Sequence, residues 1–228
     1  MKGAFRTLLV TSMMTTVGVL LLLFQEPMIF SRLESQELVT RLFEETRATN
    51  IVSAVYLSTR LYDTVFEFLV FTVAAGGVAF YSRFLGKTTQ FVCLTDPATA
   101  ITLRFLAFFA FLSGVYLAIF GHLTPGGGFA AGVAGGTAFF LLAITGRIFV
   151  LEKQIASVNR NHLLEQGLIT TFLSLAILDL WGIELPLGNP GTLLSAGYIP
   201  LYNLLIFLKV TLGTWSIVYH FIQSRGIL

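Results

Sequence analysis

Five ionisable side chains lie in or beside long apolar segments of this sequence, where an isolated charge is costly. They are Asp63, Glu67, His122, Asp179 and Lys209. A charged residue at the centre of a membrane helix costs on the order of 2.5 to 3.5 kcal/mol, so such residues normally face protein, water or a partner charge. We therefore interpret them as candidate functional residues, each of which also has a structural interpretation.

Glu67 is the first of the two principal candidates. A helix reaches membrane length in this region only if it begins near Tyr62, and it then contains Asp63 and Glu67 one turn apart on the same face. Asp63 also fits the end of this helix, as a partner of Arg60 or of the helix N-terminus. Glu67 is either a functional carboxylate or a satisfied polar contact between helices.

Lys209 is the second principal candidate, since it lies deep in the last apolar segment, where its ammonium does not easily reach either surface. A buried lysine normally has a carboxylate partner, and this chain offers Glu67, Glu165 and Asp179. Asp179 also fits a position at the membrane interface, near the outer end of its segment. His122 is either a proton carrier near neutral pH or a hydrogen-bonding residue that fixes its turn.

A polar, glycine-rich turn at residues 121–129 separates two long apolar runs. It contains Gly121, Pro125, Gly126, Gly127 and Gly128. Consecutive glycines after a proline let the backbone adopt unusual φ and ψ angles and let neighbouring segments approach closely. The turn is either a plain connection between helices or a polar re-entrant element that lines a cavity. The four-residue spacing of Gly128, Gly132 and Gly136 predicts a flat, tightly packed helix face.

The elements that carry these residues are predicted to be membrane helices. Hydrophobic residues make up 55% and charged residues 11% of the 228 positions. Several windows of about 18 residues without a charge have the length of a membrane helix. We predict six spans, near residues 4–24, 62–82, 98–120, 129–149, 161–182 and 198–221. Residues 25–49 form either a helix at the membrane interface or a solvated loop.

Basic residues are distributed unequally between the predicted connections. With six spans, nine lysines and arginines lie on one side of the membrane and three on the other. The positive-inside rule then puts both termini in the cytoplasm and the glycine turn outside. We therefore predict an all-α, polytopic protein of the cell membrane. The only cysteine, Cys93, excludes an intramolecular disulfide.

Two motifs resemble the B subunit, MrpB or MnhB, of multisubunit Mrp-type Na⁺/H⁺ antiporters. Residues 121–132 fit the family signature GHxxPGGGFxxG. Residues 191–203, Gly-Thr-Leu-Leu-Ser-Ala-Gly-Tyr-Ile-Pro-Leu-Tyr-Asn, fit its C-terminal pattern, and Lys209 and Val210 follow where the family has a lysine-valine pair. The two motifs occur in the family's order, which makes the resemblance specific for about residues 100–225.

A further segment resembles the C-terminal part of the antiporter's large A subunit, MrpA. The matching residues are 50–55 and 60–67, although Leu61 stands where that family usually has glycine. We therefore divide the chain into a two-helix, MrpA-like segment at 1–90 and a four-helix, MnhB-like domain at 91–228.

A chain that joins both pieces is similar to subunits of the Mrp-like modules in archaeal membrane-bound hydrogenase and sulfane reductase complexes. The resemblance implies a non-redox membrane subunit that assembles with other antiporter subunits and contributes to Na⁺ or H⁺ translocation. In this hypothesis Glu67 and Lys209 belong to a polar path through the apolar helices, with the other ion-translocation candidates, Asp63, His122 and Asp179, nearer its outer mouth. A cation would pass by changes in protonation and pairing. The resemblance implies no catalytic activity, metal or cofactor in this chain, and the sequence contains no nucleic-acid motif. The alternative is a scaffold subunit that assembles and seals the module without itself carrying ions.

Overall fold

The computed structural model describes residues 32–85, 96–147 and 158–225, whose regular structure is helical. The chain divides into two compact units, Met1–Leu38 and Val39–Leu228. The helices are α1 (Arg32–Thr46), α2 (Ile51–Ala54), α3 (Leu61–Ser82), α4 (Pro97–Ile119), α5 (Gly128–Leu142), α6 (Val158–Leu180) and α7 (Ile199–Arg225). Single π-helical turns follow α2 at Val55–Thr59 and α5 at Ala143–Arg147. Within the segment 25–49, residues 32–46 form the helix α1, and the location of this helix at the membrane interface stays a prediction.

Four of the described helices are long and apolar enough to cross a membrane. They are Leu61–Ser82, Pro97–Ile119, Gly128–Gly146 and Ile199–Ser224. Helix α6, with 23 residues, lies where a span is predicted at 161–182 but is not one of these four, so its crossing of the membrane stays a prediction. The all-α, polytopic class is therefore confirmed. The span predicted at 4–24 and Cys93 lie outside the described residues, so the total of six spans and the location of the termini stay predictions.

Local signals determine where α4 begins. The carboxylate of Asp96 accepts a hydrogen bond from the backbone N–H of Thr99 at 2.8 Å, and Pro97 occupies the start of the helix. An N-cap carboxylate satisfies a free N–H group, and proline fits the first helical turn because it needs no hydrogen-bond acceptor there. Hydrogen bonds from the hydroxyl and amide of Thr99 lower the pKa of Asp96 below its ordinary value.

The chain before α3 is helical but interrupted. After α2 and its π turn, Arg60 leaves helical geometry, with φ −118° and ψ 31°, and α3 begins at the next residue. The hydroxyl of Thr64 donates to the carbonyl oxygen of Tyr56 at 2.6 Å across this break. A π turn inserts one residue into the helical repeat and is frequent at functional sites. Helix α3 consequently starts close to the predicted position 62.

Helix α7 is the central helix of the second unit and contacts α3, α4, α5 and α6. The small-residue face of α5 packs closely against it. A Cβ atom added at Gly128, Gly132 or Gly136 would lie 2.4 to 2.6 Å from side-chain atoms of Ile206, Val210 or Thr214. The four-residue glycine spacing therefore produces the close helix contact that the sequence predicted.

An aromatic cluster joins α3, α6 and α7. The ring of Phe68 stacks on Phe172 with 4.4 Å between centroids, and Phe172 meets Tyr202 edge-on at 5.4 Å. All three side chains are fully buried. Such aromatic pairs contribute about 0.5 to 1.5 kcal/mol each beyond the area they bury. Because Phe68 is held in this cluster, the neighbouring Glu67 lies on the exposed side of α3.

Candidate functional site

The glycine turn connects α4 to α5 and is fixed by a residue distant in sequence. Asn50, the N-cap of α2, donates through its side-chain amide to the carbonyl oxygens of Gly121 at 2.7 Å and Thr124 at 2.9 Å. Its backbone N–H donates to the carbonyl oxygen of His122 at 3.0 Å. The tight course of the turn leaves these carbonyl groups without helical partners, and one asparagine satisfies all three.

Two hydroxyl groups on either side of Asn50 add to this contact. Ser53 Oγ donates to the carbonyl oxygen of Gly121 at 2.6 Å, and Thr49 Oγ1 donates to that of Leu123 at 2.8 Å. We call Thr49, Asn50 and Ser53 the turn clamp. The clamp connects the segment before α3 to a turn that is about 70 residues away in the sequence: Ser53 and Gly121 are 68 residues apart, and Thr49 and Leu123 are 74 apart.

Tyr56 packs directly against the backbone of the turn. Its hydroxyl lies 3.2 Å from Ser53 Oγ. A Cβ atom at Gly127 would lie 2.2 Å from the same hydroxyl, and Gly127 has a φ of +144°, which side chains rarely allow. Glycine is therefore required at this position for two reasons. Burial raises the pKa of the Tyr56 phenol.

His122 connects the turn to the loop before α7. The side chain is 0% exposed, and its Nε2 lies 3.3 Å from the carbonyl oxygen of Thr192. Burial lowers the pKa of the imidazole, because the charged form would lose its hydration. These contacts favour a neutral histidine that fixes the turn over a proton carrier.

Asn203 joins the second sequence motif to the first. Its side-chain oxygen accepts a hydrogen bond from the backbone N–H of Gly128 at 2.8 Å, in the first turn of α5. The first N–H groups of a helix have no intrahelical acceptor, so a buried helix start needs such a partner. Asn203 is itself 0% exposed. The two motifs and the segment containing Asn50 thus form one hydrogen-bonded unit.

Glu67 lies at a cleft beside this unit. The cleft has a volume of about 340 Å³ and is lined by Tyr56, Glu67, Gly126, Gly127, Phe129 and Ala130. The Glu67 side chain is exposed, and it is in none of the salt bridges between described residues. It lies six residues after Leu61, or about 9 Å along the helix at 1.5 Å per residue. An accessible carboxylate is thus adjacent to the backbone of the glycine turn.

Lys209 pairs with Glu165 on α6. The distance from Nζ to Oε2 is 3.0 Å, and the side chains are 0% and 17% exposed. Glu165 is one of the three carboxylates that the sequence suggested as partners of Lys209. Unlike Glu67 and Asp179, it was not among the predicted ion-translocation residues. The predicted polar path through Glu67 and Lys209 is therefore not a direct pairing of these two charges.

Asp179 and Asp63 also have partners within the chain. The hydroxyl of Tyr202 donates to Asp179 Oδ2 at 2.9 Å. Arg60 Nε donates to Asp63 Oδ2 at 2.6 Å at the start of α3, on an exposed surface. Asp63 is thus paired with Arg60, the partner expected if Asp63 is a helix-end residue.

Sequence reasoning assigned no role to three residues that form these contacts, Tyr56, Tyr202 and Asn203, and gave Glu165 only as one of three possible partners of Lys209. Asn203 is the last residue of the second motif, and this position could have indicated a role for it. Glu165 was available as a carboxylate on a predicted helix, but its angular position relative to Lys209 depends on how α6 packs. Tyr56 gave no sequence signal, because its role follows from contact with a turn 71 residues away in the sequence.

The described residues contain no group of three or more His, Cys, Asp or Glu side chains that could hold a metal ion. Asp179 lines a second cleft of about 160 Å³ with Glu45 and Glu184, and these three carboxylates do not form such a group either.

The helices and their buried polar contacts define the class of this chain, a multi-pass, all-α membrane protein. A family model for a domain related to the MnhB subunit of Na⁺/H⁺ antiporter matches residues 98–216. The chain belongs to this family, and the matched region contains both motifs, including the glycine turn, and residues 199–216 of α7. The resemblance of residues 50–55 and 60–67 to MrpA, and the division at residues 90 and 91, stay predictions.

Two solved structures have the same fold. A chain of the membrane-bound sulfane sulfur reductase (MBS), an archaeal respiratory membrane complex, is 25% identical, with a TM-score of 0.72 over 96% of this chain and 99% of that chain. A chain of the Mrp complex from Dietzia sp. DQ12-45-1b is 18% identical, with a TM-score of 0.60 over 96% of this chain and 26% of that chain. No curated protein sequence matches. Family and fold make this chain a membrane subunit of the kind found in Mrp-type modules.

Proposed function

We propose that this chain contributes to Na⁺ or H⁺ translocation as one subunit of an Mrp-type antiporter module within a respiratory membrane complex. The observation that supports it best is the accessible carboxylate of Glu67 at a cleft beside the conformationally restricted glycine turn. A carboxylate at this depth in an apolar helix is costly unless it serves a protein partner, water or a passing cation.

In this proposal Glu67 binds a cation or proton at the cleft, and the turn clamp keeps the cleft's backbone wall in one conformation. Lys209 and Glu165 supply a second pair of charges deep between α6 and α7. Movement of an ion near such a pair changes its electrostatic balance, because charges in a low-dielectric interior interact strongly. The chain holds no cofactor in this proposal, and any redox chemistry belongs to other subunits.

The alternative function is a scaffold that assembles and seals the module. The internal pairing of Lys209, Asp63 and Asp179 favours it, because each of these charges already has a partner that stabilises the fold. The two functions predict different effects of changing Glu67, because its carboxylate is accessible.

Transport by the purified complex in proteoliposomes separates the two functions. We would compare the native chain with Glu67→Gln, which removes the charge and keeps the shape, and with Lys209→Ala. Glu44→Gln is the matched control, because Glu44 is exposed on α1 and does not line the Glu67 cleft. Uptake of ²²Na⁺ and the change of internal pH report the two ions separately.

We expect Glu67→Gln to lower ion flux at least tenfold in complexes that contain all subunits, whereas Glu44→Gln leaves flux unchanged. Native flux in an intact Glu67→Gln complex would reject the translocation role and leave the scaffold. Loss of assembly in the same variant, with normal flux in the complexes that remain, would point to the scaffold as well.

A further inference from the structure

We infer that the exposed face of α3 around Glu67 is the docking surface for a transmembrane helix of another subunit, which carries a lysine or arginine side chain into the Glu67 cleft. The inference concerns assembly and holds whether or not Glu67 carries ions.

The exposed face of α3 is continuous and apolar over most of the helix. Its large side chains are between 57% and 74% exposed and recur at intervals that keep them on one side of the helix. They are Tyr62, Phe66, Val70, Val73 and Phe80. Glu67 follows Phe66 directly and lies where this face meets the cleft of about 340 Å³. The face therefore combines a broad apolar contact with one carboxylate at its edge.

Lipid alone does not satisfy this combination. An unpaired carboxylate facing hydrocarbon is costly, and no described residue forms a salt bridge with Glu67. The nearest basic residue in sequence, Arg60, is paired with Asp63. A cation from outside the described chain removes the cost of the unpaired charge, and a charge-assisted contact of this kind also fixes the register of two helices.

The exposed face of α4 provides an internal comparison. It is also rich in large apolar side chains, among them Phe105, Phe108, Leu112 and Tyr116. Between Phe105 and Ile119, however, α4 contains no charged residue. Such a face is satisfied by lipid tails. Of the two faces, that of α3 has an unpaired carboxylate at its edge and therefore needs a protein partner, whereas that of α4 does not.

Site-specific photo-crosslinking in the native complex tests the docking surface. The photoreactive residue p-benzoylphenylalanine would replace Phe66 on α3 or, as the matched control, Phe108 on α4, whose side chains are 63% and 61% exposed. After irradiation of membranes, the crosslinked peptides would be identified by mass spectrometry.

We expect position 66 to crosslink to a predicted transmembrane helix of another subunit that contains Lys or Arg, and position 108 to give lipid adducts. Lipid adducts at position 66, a crosslink to residues 1–31 of this chain, or a crosslinked helix without Lys or Arg would each overturn the inference. Equal protein crosslinking at both positions would also overturn it, since the two faces would then not differ.

Charge reversal tests the ionic part. We expect Glu67→Lys to reduce the yield of intact complex several-fold, and reversal of the basic residue in the crosslinked helix to restore it. Full assembly of Glu67→Lys complexes would reject the charge pairing. Because crosslinking and assembly need no ion gradient, this inference and the translocation proposal fail by different measurements.

Discussion

The buried ion pair between Lys209 and Glu165 is asymmetric at the level of its two residues. The ammonium is 0% exposed, whereas the carboxylate is 17% exposed and retains some access to the surface of the fold. Removal of one partner from a buried pair leaves the other charge uncompensated, which costs more than the pair contributes to stability. The cost therefore depends on which partner remains.

We predict that Glu165→Gln is more destabilising than Lys209→Met. Breaking a buried pair costs about 3 to 5 kcal/mol, and we expect Glu165→Gln to lie in this range because it strands the fully buried ammonium. The double variant, Glu165→Gln with Lys209→Met, should recover most of the loss. Thermal unfolding of the purified complex measures all three, and a double variant as unstable as Glu165→Gln alone would contradict the role of the pair.

His122 gives the fold a pH dependence whose sign follows from burial. Its pKa is lowered in the native structure, whereas the unfolded chain binds the proton near the ordinary value of about 6.5. Between these two pKa values the unfolded state binds more protons, so stability falls as the pH decreases through this window.

We predict that the contribution of His122 disappears in His122→Gln, which cannot titrate. The melting temperature of the native complex should fall more steeply from pH 7 to pH 5 than that of the variant. Comparison of slopes removes the constant cost of the substitution. Equal slopes would show that His122 does not take up a proton on unfolding.

At the level of elements, the contact of α5 with α7 depends on the absence of side chains. Three glycines one turn apart bring the helices so close that any Cβ atom would overlap side chains of α7. Without a hydrophobic driving force between helices in lipid, such van der Waals contact is the main source of helix association.

We predict that Gly132→Ala destabilises the fold by about 1 to 3 kcal/mol, because the new methyl group would lie 2.4 Å from Val210 Cβ. Gly167→Ala is the matched control, since Gly167 is also within a helix, α6, and has nothing within 4 Å of an added Cβ. That substitution should be neutral or stabilising. Equal melting temperatures for the two variants would show that α5 and α7 are less tightly packed.

At the level of the whole molecule, the turn clamp connects parts of the chain that the family comparison separates. The matched region is 98–216, but the turn inside it is satisfied by Thr49, Asn50 and Ser53 from outside it. The three clamp residues therefore belong to the same compact unit, Val39–Leu228, as the glycine turn.

We predict that Asn50→Asp costs about 2 to 4 kcal/mol, because it replaces the amide that donates to two carbonyl oxygens by a charged acceptor. The carbonyl oxygen of Thr124 then loses this donor, whereas that of Gly121 keeps the hydroxyl of Ser53. Thr137→Val is the control, since that hydroxyl bonds only to Val133 O of its own helix. The apparent melting temperature and proteolysis near residue 124 measure the effect. An Asn50→Asp protein as stable and protease-resistant as the control would mean that the clamp does not hold the turn.

The sequence by itself determined the class, the family and the positions of most helices. Apolar windows, the Asp96-Pro97 start signal and the glycine spacing act within one helix or at one boundary, so their consequences are local. The glycine signature identified the turn because unusual backbone angles and close approach restrict the residue type at each position.

Only the tertiary structure decided which polar groups meet. The sequence contains three carboxylates that could pair with Lys209, and the packing of α6 against α7 brings Glu165 to it. Asn50 contacts the turn, and Tyr56 contacts Gly127, over about 70 residues of sequence. A periodic pattern within one helix does not predict contacts of this length. Pairing of this kind depends on how whole helices pack, and packing is a property of all their side chains together.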